Sequence, residues 1–323
     1  MSLTEQQNLF AEFNFVRATA KPVNVASVPQ RSPFRYPGGK TWFVPTFRRW
    51  IRSLDCNPEL LVEPFVGGGI ISLTALFENL VKKSVMMEID NEVAAVWEAV
   101  TEGYAEWVAD KILHFDMTHE NLAKELRISP VDIKQKAFQT ILKNRTLHGG
   151  ILAEGAGLLK NGENGKGIKS RWYPQTLANR IINLNHIREK IVFFKGDALE
   201  LLPNYIENSR AVFFIDPPYT VGGKKAGKRL YRHYNLDHER LFQIVKSLKG
   251  DFLMTYDDAD EVKNLARKHG FQMRLIPMNT THHTQIFELV IGKNLAWLDN
   301  LQIVNEEQVD YSLSSSADHR LSS

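Results

Sequence analysis

The sequence predicts an α/β fold: a mainly parallel β-sheet, covered on both faces by helices and interrupted once by a long insert. Three observations carry that prediction. Short apolar runs at 59–63, 84–89, 191–196, 211–216 and 251–256, followed by two more at 271–278 and 285–292, read as buried strands. Helical patterns lie between several of them, and a chain that alternates strand and helix pairs its strands in parallel beneath the helices. The rhythm breaks once: about a hundred residues separate the second run from the third, far beyond an ordinary connection.

The opening segment, ending KPVNVASVPQRSP, has weak periodicity and several breakers, and residues 1–33 read as an arm or partly ordered lead-in. ELLVE (59–63) is the first strand and GIISLTALFENL the helix after it. SVMMEI (84–89) is the second strand. NEVAAVWEAVTEGYAEWVADKIL (91–113) reads as helix, with Trp97 and Trp107 as core residues. After the insert come IVFFKG and AVFFID, then the helix LDHERLFQIVKSLK and the strand DFLMTY. FQMRLIPM and QIFELVIG close the sheet. The polar tail, 298–323, ends SLSSSADHRLSS and reads as disordered.

Composition narrows the class. With 43% hydrophobic and 24% charged residues over 323 positions, the chain reads as soluble and globular, with one large or two smaller domains. No apolar run approaches a membrane span and the N-terminus lacks a secretory pattern, so cytoplasmic residence is the expectation. A single cysteine, Cys56, excludes an internal disulfide and any multi-cysteine zinc site. The histidines, His282 and His283 included, show no ligand spacing, and no metal is expected. A net charge of +3 identifies no partner. Its distribution does: segment 134–195 holds twelve lysines and arginines against three glutamates, with Trp172 and Tyr173 beside cations in a glycine-rich centre. Clustered cations with aromatics fit an insert that grips a polyanion.

LLVEPFVGGGIISL joins a strand, a glycine loop and a helix start. Gly67, Gly68 and Gly69 let the backbone turn tightly and approach a ligand without Cβ atoms in the way. Asp90 ends the next strand 21 residues after Gly69, the usual offset for an acid that accepts hydrogen bonds from ribose hydroxyls. The loop is neither a spaced GxGxxG nor a phosphate loop with GK[ST], so nothing demands a pyrophosphate. An adenosine-bearing ligand without phosphate, such as S-adenosylmethionine, fits.

VFFIDPPYT (212–220) ends a buried strand on a carboxylate and stiffens the next two residues with proline. Methyl transfer to an exocyclic base amine asks for such a group. The nitrogen lone pair is delocalised into the ring, and a carboxylate and a carbonyl accepting its two N–H bonds favour the pyramidal form. Asp216 can supply the carboxylate, Pro217 the carbonyl, held by Pro218, and Tyr219 an aromatic face for an extruded base.

YPGGK (36–40), EPFVGGG (63–69) and DPPY (216–219), in this order, resemble the motifs of the Dam-like (α-class) N6-adenine DNA methyltransferases. KNRT (143–146), GDA (196–198) and LDH (236–238) extend the resemblance over roughly residues 34 to 295. It implies a Rossmann-like S-adenosylmethionine-dependent methyltransferase fold, with a catalytic domain of residues 34–98 and 190–297 and a mostly helical target-recognition insert, 99–189. The implied catalytic residues are Asp216, Pro217, Pro218 and Tyr219. The implied cofactor pocket comprises Tyr36, Pro37, Gly38, Gly39 and Lys40; Glu63, Pro64, Phe65, Gly67 and Gly69; Asp90 and Asn91; Asp197, Ala198 and Asp216. Lys40 would also approach the target base. Contacts to double-stranded DNA would come from Lys143, Asn144, Arg145, Lys166, Lys169 and Arg171. A second basic loop adds Lys224, Lys225, Lys228 and Arg229.

Where Dam proteins that read GATC usually follow NRT with a stretch like CFNGLYR, this chain has LHGGILA (147–153), so the resemblance does not carry over a target sequence. It implies a bacterial, archaeal or phage-encoded enzyme of the restriction-modification or orphan kind, and leaves a cognate restriction endonuclease and the oligomeric state open. Four rivals stand beside it. An RNA adenine methyltransferase shares the chemistry. Cytosine N4 methylation is disfavoured by Asp216, where that group more often has serine. A nucleic-acid-binding module without catalysis is disfavoured by the intact DPPY; a nicotinamide dehydrogenase lacks its GxGxxG.

Overall fold

The computed structural model describes residues 25–36, 38–153, 155–162, 165–218, 236–279 and 285–299. The opening arm to residue 24, the tail from 300, and His282 and His283 lie outside them.

All seven expected strands form: β1 Leu60–Glu63, β2 Lys83–Glu88, β3 Ile191–Lys195, β4 Ala211–Ile215, β5 Asp251–Asp257, β6 Gln272–Asn279 and β7 Gln285–Gly292. They make one sheet of order β3-β2-β1-β4-β5-β7-β6. The first five pair in parallel, and β7 runs antiparallel to both β5 and β6. The connection from β6 to β7 is too short for a crossover, which forces the antiparallel step. This is a Rossmann-like sheet.

The longer helices are α1 Val44–Ser53, α2 Ile70–Phe77, α3 Asn91–Thr101, α4 Ala105–His114, α5 His119–Arg127, α6 Ile133–Thr146, α7 Pro174–Asn183, α8 His238–Ser247 and α9 Asp260–His269. The pattern over 91–113 forms two helices rather than one. Gly103 adopts φ 89°, and the N–H groups of Gly103 and Tyr104 bond back to the carbonyls of Val100 and Ala99, a Schellman stop. The TEGY stretch carries the signal, a glycine that can turn left-handed where the helix should end.

Strand β4 is buried along its whole length, as an unbroken apolar run covered on both faces should be. On one face Phe214 packs against Phe43 and Phe47 at ring separations of 5.6 and 6.1 Å. On the other, Phe213, Phe252 and Tyr256 pack under Leu241, Phe242 and Val245 of α8. The insert continues the first face: Ile112, Phe138, Leu142, Leu177 and Ile181 belong to the same buried cluster as Leu61 and Phe214. Trp97 is fully buried and Trp107 partly so, both packed in this cluster. Among the described residues no helix is long and apolar enough to cross a membrane.

Strand order reverses between β1 and β4. In open α/β sheets such a switch point opens a crevice beyond the carboxyl ends of the strands. Glu63 ends β1 and Asp216 follows β4, so the two acids flank that crevice.

Candidate active site

The glycine loop is a cradle closed from below and from one side. Gly67 and Gly69 have φ of +45° and +66°, a region that disfavours residues with a Cβ. A Cβ on Gly67 would stand 2.6 Å from the Tyr36 ring, and one on Gly69 would stand 2.8 Å from Trp97. Glu88, at the end of β2, holds the loop: its carboxylate accepts from Gly67 N at 3.0 Å and from Asp90 N at 2.9 Å. Trp97 Nε1 donates to Gly67 O at 3.0 Å, and Ser32 Oγ donates to Gly68 O at 2.5 Å. Trp97 is therefore both core and brace.

The acids at the strand ends also start the next helices. Asp90 caps α3 by accepting from Glu92 N and Val93 N, and Asp197 caps the short helix Ala198–Leu201 through Leu199 N. Each cap fixes its carboxylate at the crevice. Glu63 is buried, accepts from Ser72 N at 3.0 Å and from Ser72 Oγ, and is pushed up to about 8 by burial. Burial likewise raises Glu88 to about 7.

Asp216 meets a buried cation. Lys40 Nζ lies 2.8 Å from Asp216 Oδ1 and 3.1 Å from Glu288 Oε1, with Lys40 and Glu288 side chains only 5% and 6% exposed. Lys40 also donates to Gly38 O at 3.2 Å, and Thr255 Oγ1 of β5 donates to Asp216 Oδ1 at 2.8 Å. The carboxylate is thus held from the first glycine turn and from β5. Below it, Tyr256 contacts His238 Nδ1 at 3.0 Å, and its hydroxyl is raised well above the usual range, by burial first and by Asp216 second.

A cavity of about 450 Å³ opens among these groups. Tyr36, Gly38, Gly39 and Lys40 wall one end, with Glu63, Pro64, Phe65, Gly67 and Gly69 beneath. Asp90, Asp197 and Ala198 line the far side; Asp216 and Pro218 line the mouth. Asn91 is exposed and off the wall, and Pro217 is buried behind it. Pro37 and Tyr219 lie outside the described residues. The volume, the glycine floor and the acid acceptors suit a nucleoside. Sequence reasoning missed Glu88 and Arg240, which line the cavity, and Thr255, His238 and Glu288, which stand around Asp216, Tyr256 and Lys40; Glu288 is one acid inside an apolar strand, QIFELVIG, which is the signal it offered. Among the described residues no group of three or more His, Cys, Asp or Glu side chains is placed to hold a metal.

The residues expected on the DNA side divide. Lys166 and Lys169 are exposed on the insert and Arg171 is half-buried. Lys143 forms an ion pair with Glu92. Asn144 and Arg145 both face inward. Asn144 is fully buried; it accepts from Arg35 N at 2.9 Å and donates to Arg35 O at 2.8 Å and Gly150 O at 2.9 Å. Arg145 is 6% exposed and donates to Pro33 O at 2.6 Å. Burial, then the guanidinium groups of Arg180, Arg35 and Arg171, push it down to about 9. Both side chains hold the 33–36 segment, which carries Tyr36 to the glycine loop. Lys224, Lys225, Lys228 and Arg229 lie outside the described residues.

A family model described as D12 class N6 adenine-specific DNA methyltransferase matches residues 36–281. No curated protein matches the chain. Among solved structures, the rRNA methyltransferase aviRa from Streptomyces viridochromogenes is 13% identical, with a TM-score of 0.38 over 88% of this chain and 97% of that one. TrmK of M. capricolum, solved with the cofactor product S-adenosylhomocysteine, is 8% identical, with a TM-score of 0.36 over 77% and 68%. The precorrin-6y C5,15-methyltransferase from Geobacter metallireducens is 10% identical, with a TM-score of 0.33 over 77% and 86%.

Proposed function

The chain belongs to the D12 class of N6 adenine-specific DNA methyltransferases, and from that membership we propose that it methylates adenine at one short duplex sequence, on a base turned out of the helix. S-adenosylmethionine, the methyl donor of such enzymes, supplies an electrophilic methyl on a cationic sulfur. The observation that carries the proposal is the Asp216 carboxylate, fixed by Lys40 and Thr255 at the mouth of the glycine-floored cavity.

In this reading Asp216 accepts one N6–H of adenine and the Pro217 carbonyl the other, aiming the nitrogen lone pair along the cavity. The N6 proton then passes by way of Asp216 to solvent. Asp90 takes the ribose hydroxyls, Asp197 and Ala198 border the donor's adenine, and Tyr219 stacks on the target base. Lys166, Lys169 and Arg171, with Lys224, Lys225, Lys228 and Arg229, hold DNA phosphates. The enzyme would serve as a modification methyltransferase, and guarding its sequence against a cognate endonuclease would separate the restriction-modification form from the orphan form.

The test is transfer from labelled donor to a pool of duplex DNA, and in parallel to RNA of the same sequences, read as modified nucleosides by mass spectrometry. N6-methyldeoxyadenosine in the duplex is expected. Label confined to RNA, or found as N4-methylcytosine, contradicts the proposal.

A further inference from the structure

The insert reaches the cavity. Helix α6 ends at Thr146, and the chain beyond it pairs Leu147 with Leu158 in an antiparallel bridge. Three residues between those two, Gly150, Leu152 and Ala153, line the same cavity as the glycine loop. Ile151 lies among them in the chain and off the wall. Leu152 is partly buried and packs against the same core cluster as Tyr36.

Asn144 explains why these residues lie there. A side-chain amide carries an acceptor oxygen and two N–H donors. In Asn144 all of them meet main chain: the oxygen accepts from Arg35 N at 2.9 Å, and the nitrogen donates to Arg35 O at 2.8 Å and to Gly150 O at 2.9 Å. The side chain is fully buried, where an unpaired amide would be costly, so the three bonds hold together. They tie Gly150 to Arg35. Gly150 answers with its own geometry: its φ is +73°, and a Cβ there would stand 2.4 Å from Arg35 O, so an approach this close needs glycine. Arg35 precedes Tyr36, whose ring lies against Gly67 in the cavity floor. The Gly150–Ala153 stretch is therefore registered on the glycine-loop side of the cavity, whereas Asp216 is held from β5 and by Lys40.

Resting on the methyltransferase reading, we propose that the insert supplies one wall of the donor site: Leu152 and Ala153 pack against bound S-adenosylmethionine, and Asn144 is the positioning residue that registers them beside Tyr36. The two side chains are apolar, so they shield the donor from water and gain by the area it covers. Asn144 touches neither substrate; it works through Gly150 and Arg35.

Dissociation constants of S-adenosylmethionine and S-adenosylhomocysteine should be measured by calorimetry on the full chain without DNA. The proteins are the wild type, Leu152→Ala, Ile151→Ala, Asn144→Ala and the double variant Asn144→Ala with Leu152→Ala, at a temperature where thermal melts show them folded. Leu152→Ala is expected to weaken both ligands about tenfold, and Ile151→Ala by less than about twofold. Leu152→Ala should cost less in the Asn144→Ala protein than in the wild type, because a stretch no longer registered has less of a wall to lose. A residue that merely supports the fold would give additive effects, and additivity overturns the role of Asn144. Unchanged affinities in Leu152→Ala overturn the wall, as does an equal loss in Ile151→Ala. A rise confined to the KM for DNA also overturns it, placing Leu152 against the target base. The comparison of Leu152 with Ile151 decides the wall without the Asn144 variants. Wild-type protein that binds the donor but modifies no adenine contradicts the proposed substrate instead, and the affinities still report on the wall.

Discussion

Around the glycine loop the charged side chains face inward: Lys40, Glu63, Glu88, Asp90 and Glu288 are all buried. On the insert Lys166 and Lys169 face outward. Under the proposed function the two regions handle charge in opposite ways because their partners differ. A methyl donor must meet its acceptor along one line, so the groups around it are held from several elements and shielded from water. A DNA backbone is a row of phosphates, met by long cations that need reach more than fixed geometry. The contrast also shows where the pocket ends. Asn144 and Arg145 lie on an insert helix, α6, yet they belong to the pocket side. Their bonds run to Pro33, Arg35 and Gly150 and set the segment that carries Tyr36.

The hardest test of that boundary is Asn144→Ala. It leaves the N–H and carbonyl of Arg35 and the carbonyl of Gly150 without this partner, and should lower stability by about 3 kcal/mol. A denaturant titration measures it. A variant of unchanged stability with weakened DNA binding would return Asn144 to the DNA side.

A smaller effect sharpens the pocket side. Folded Glu63 titrates near 8 against an ordinary value of 4.5, so between those values the folded protein holds more protons than the unfolded chain. Its contribution to stability is greatest below 4.5 and is lost as pH rises toward 8. Glu63→Gln should therefore gain stability relative to the wild type as pH rises from about 5 to about 8.5. Melting curves at the two values check this, and an equal effect at both would show that the carboxyl is ionised throughout.

The smallest expected effect belongs to the outward face. Changing Lys166 and Lys169 to alanine together should leave stability within about 0.5 kcal/mol and reduce the salt slope of DNA binding by about two. A large loss of stability would mean that these lysines are part of the frame.

The seven strands were legible because burial on both faces leaves contiguous apolar runs, and the acids ending them were legible because polar groups are rare there. Glu63, Asp90 and Asp216 all reach the cavity for that reason. The inward turn of Asn144 was not legible. Its partner Arg35 lies 109 residues away in the chain, and nothing local separates an asparagine that grips backbone from one that grips DNA. Gly103 offered a readable stop that the periodicity of 91–113 masked. Glu288 was visible as an acid in an apolar strand, but its meaning needed Lys40 brought to it by the fold.

The most direct measurement is single-molecule sequencing of DNA from a methylation-free host expressing this chain, beside an Asp216→Ala control. N6-methyladenine in one short motif, absent from the control, is the predicted result. An unmodified genome in cells that hold soluble, donor-binding protein would contradict the assignment of duplex DNA as its substrate.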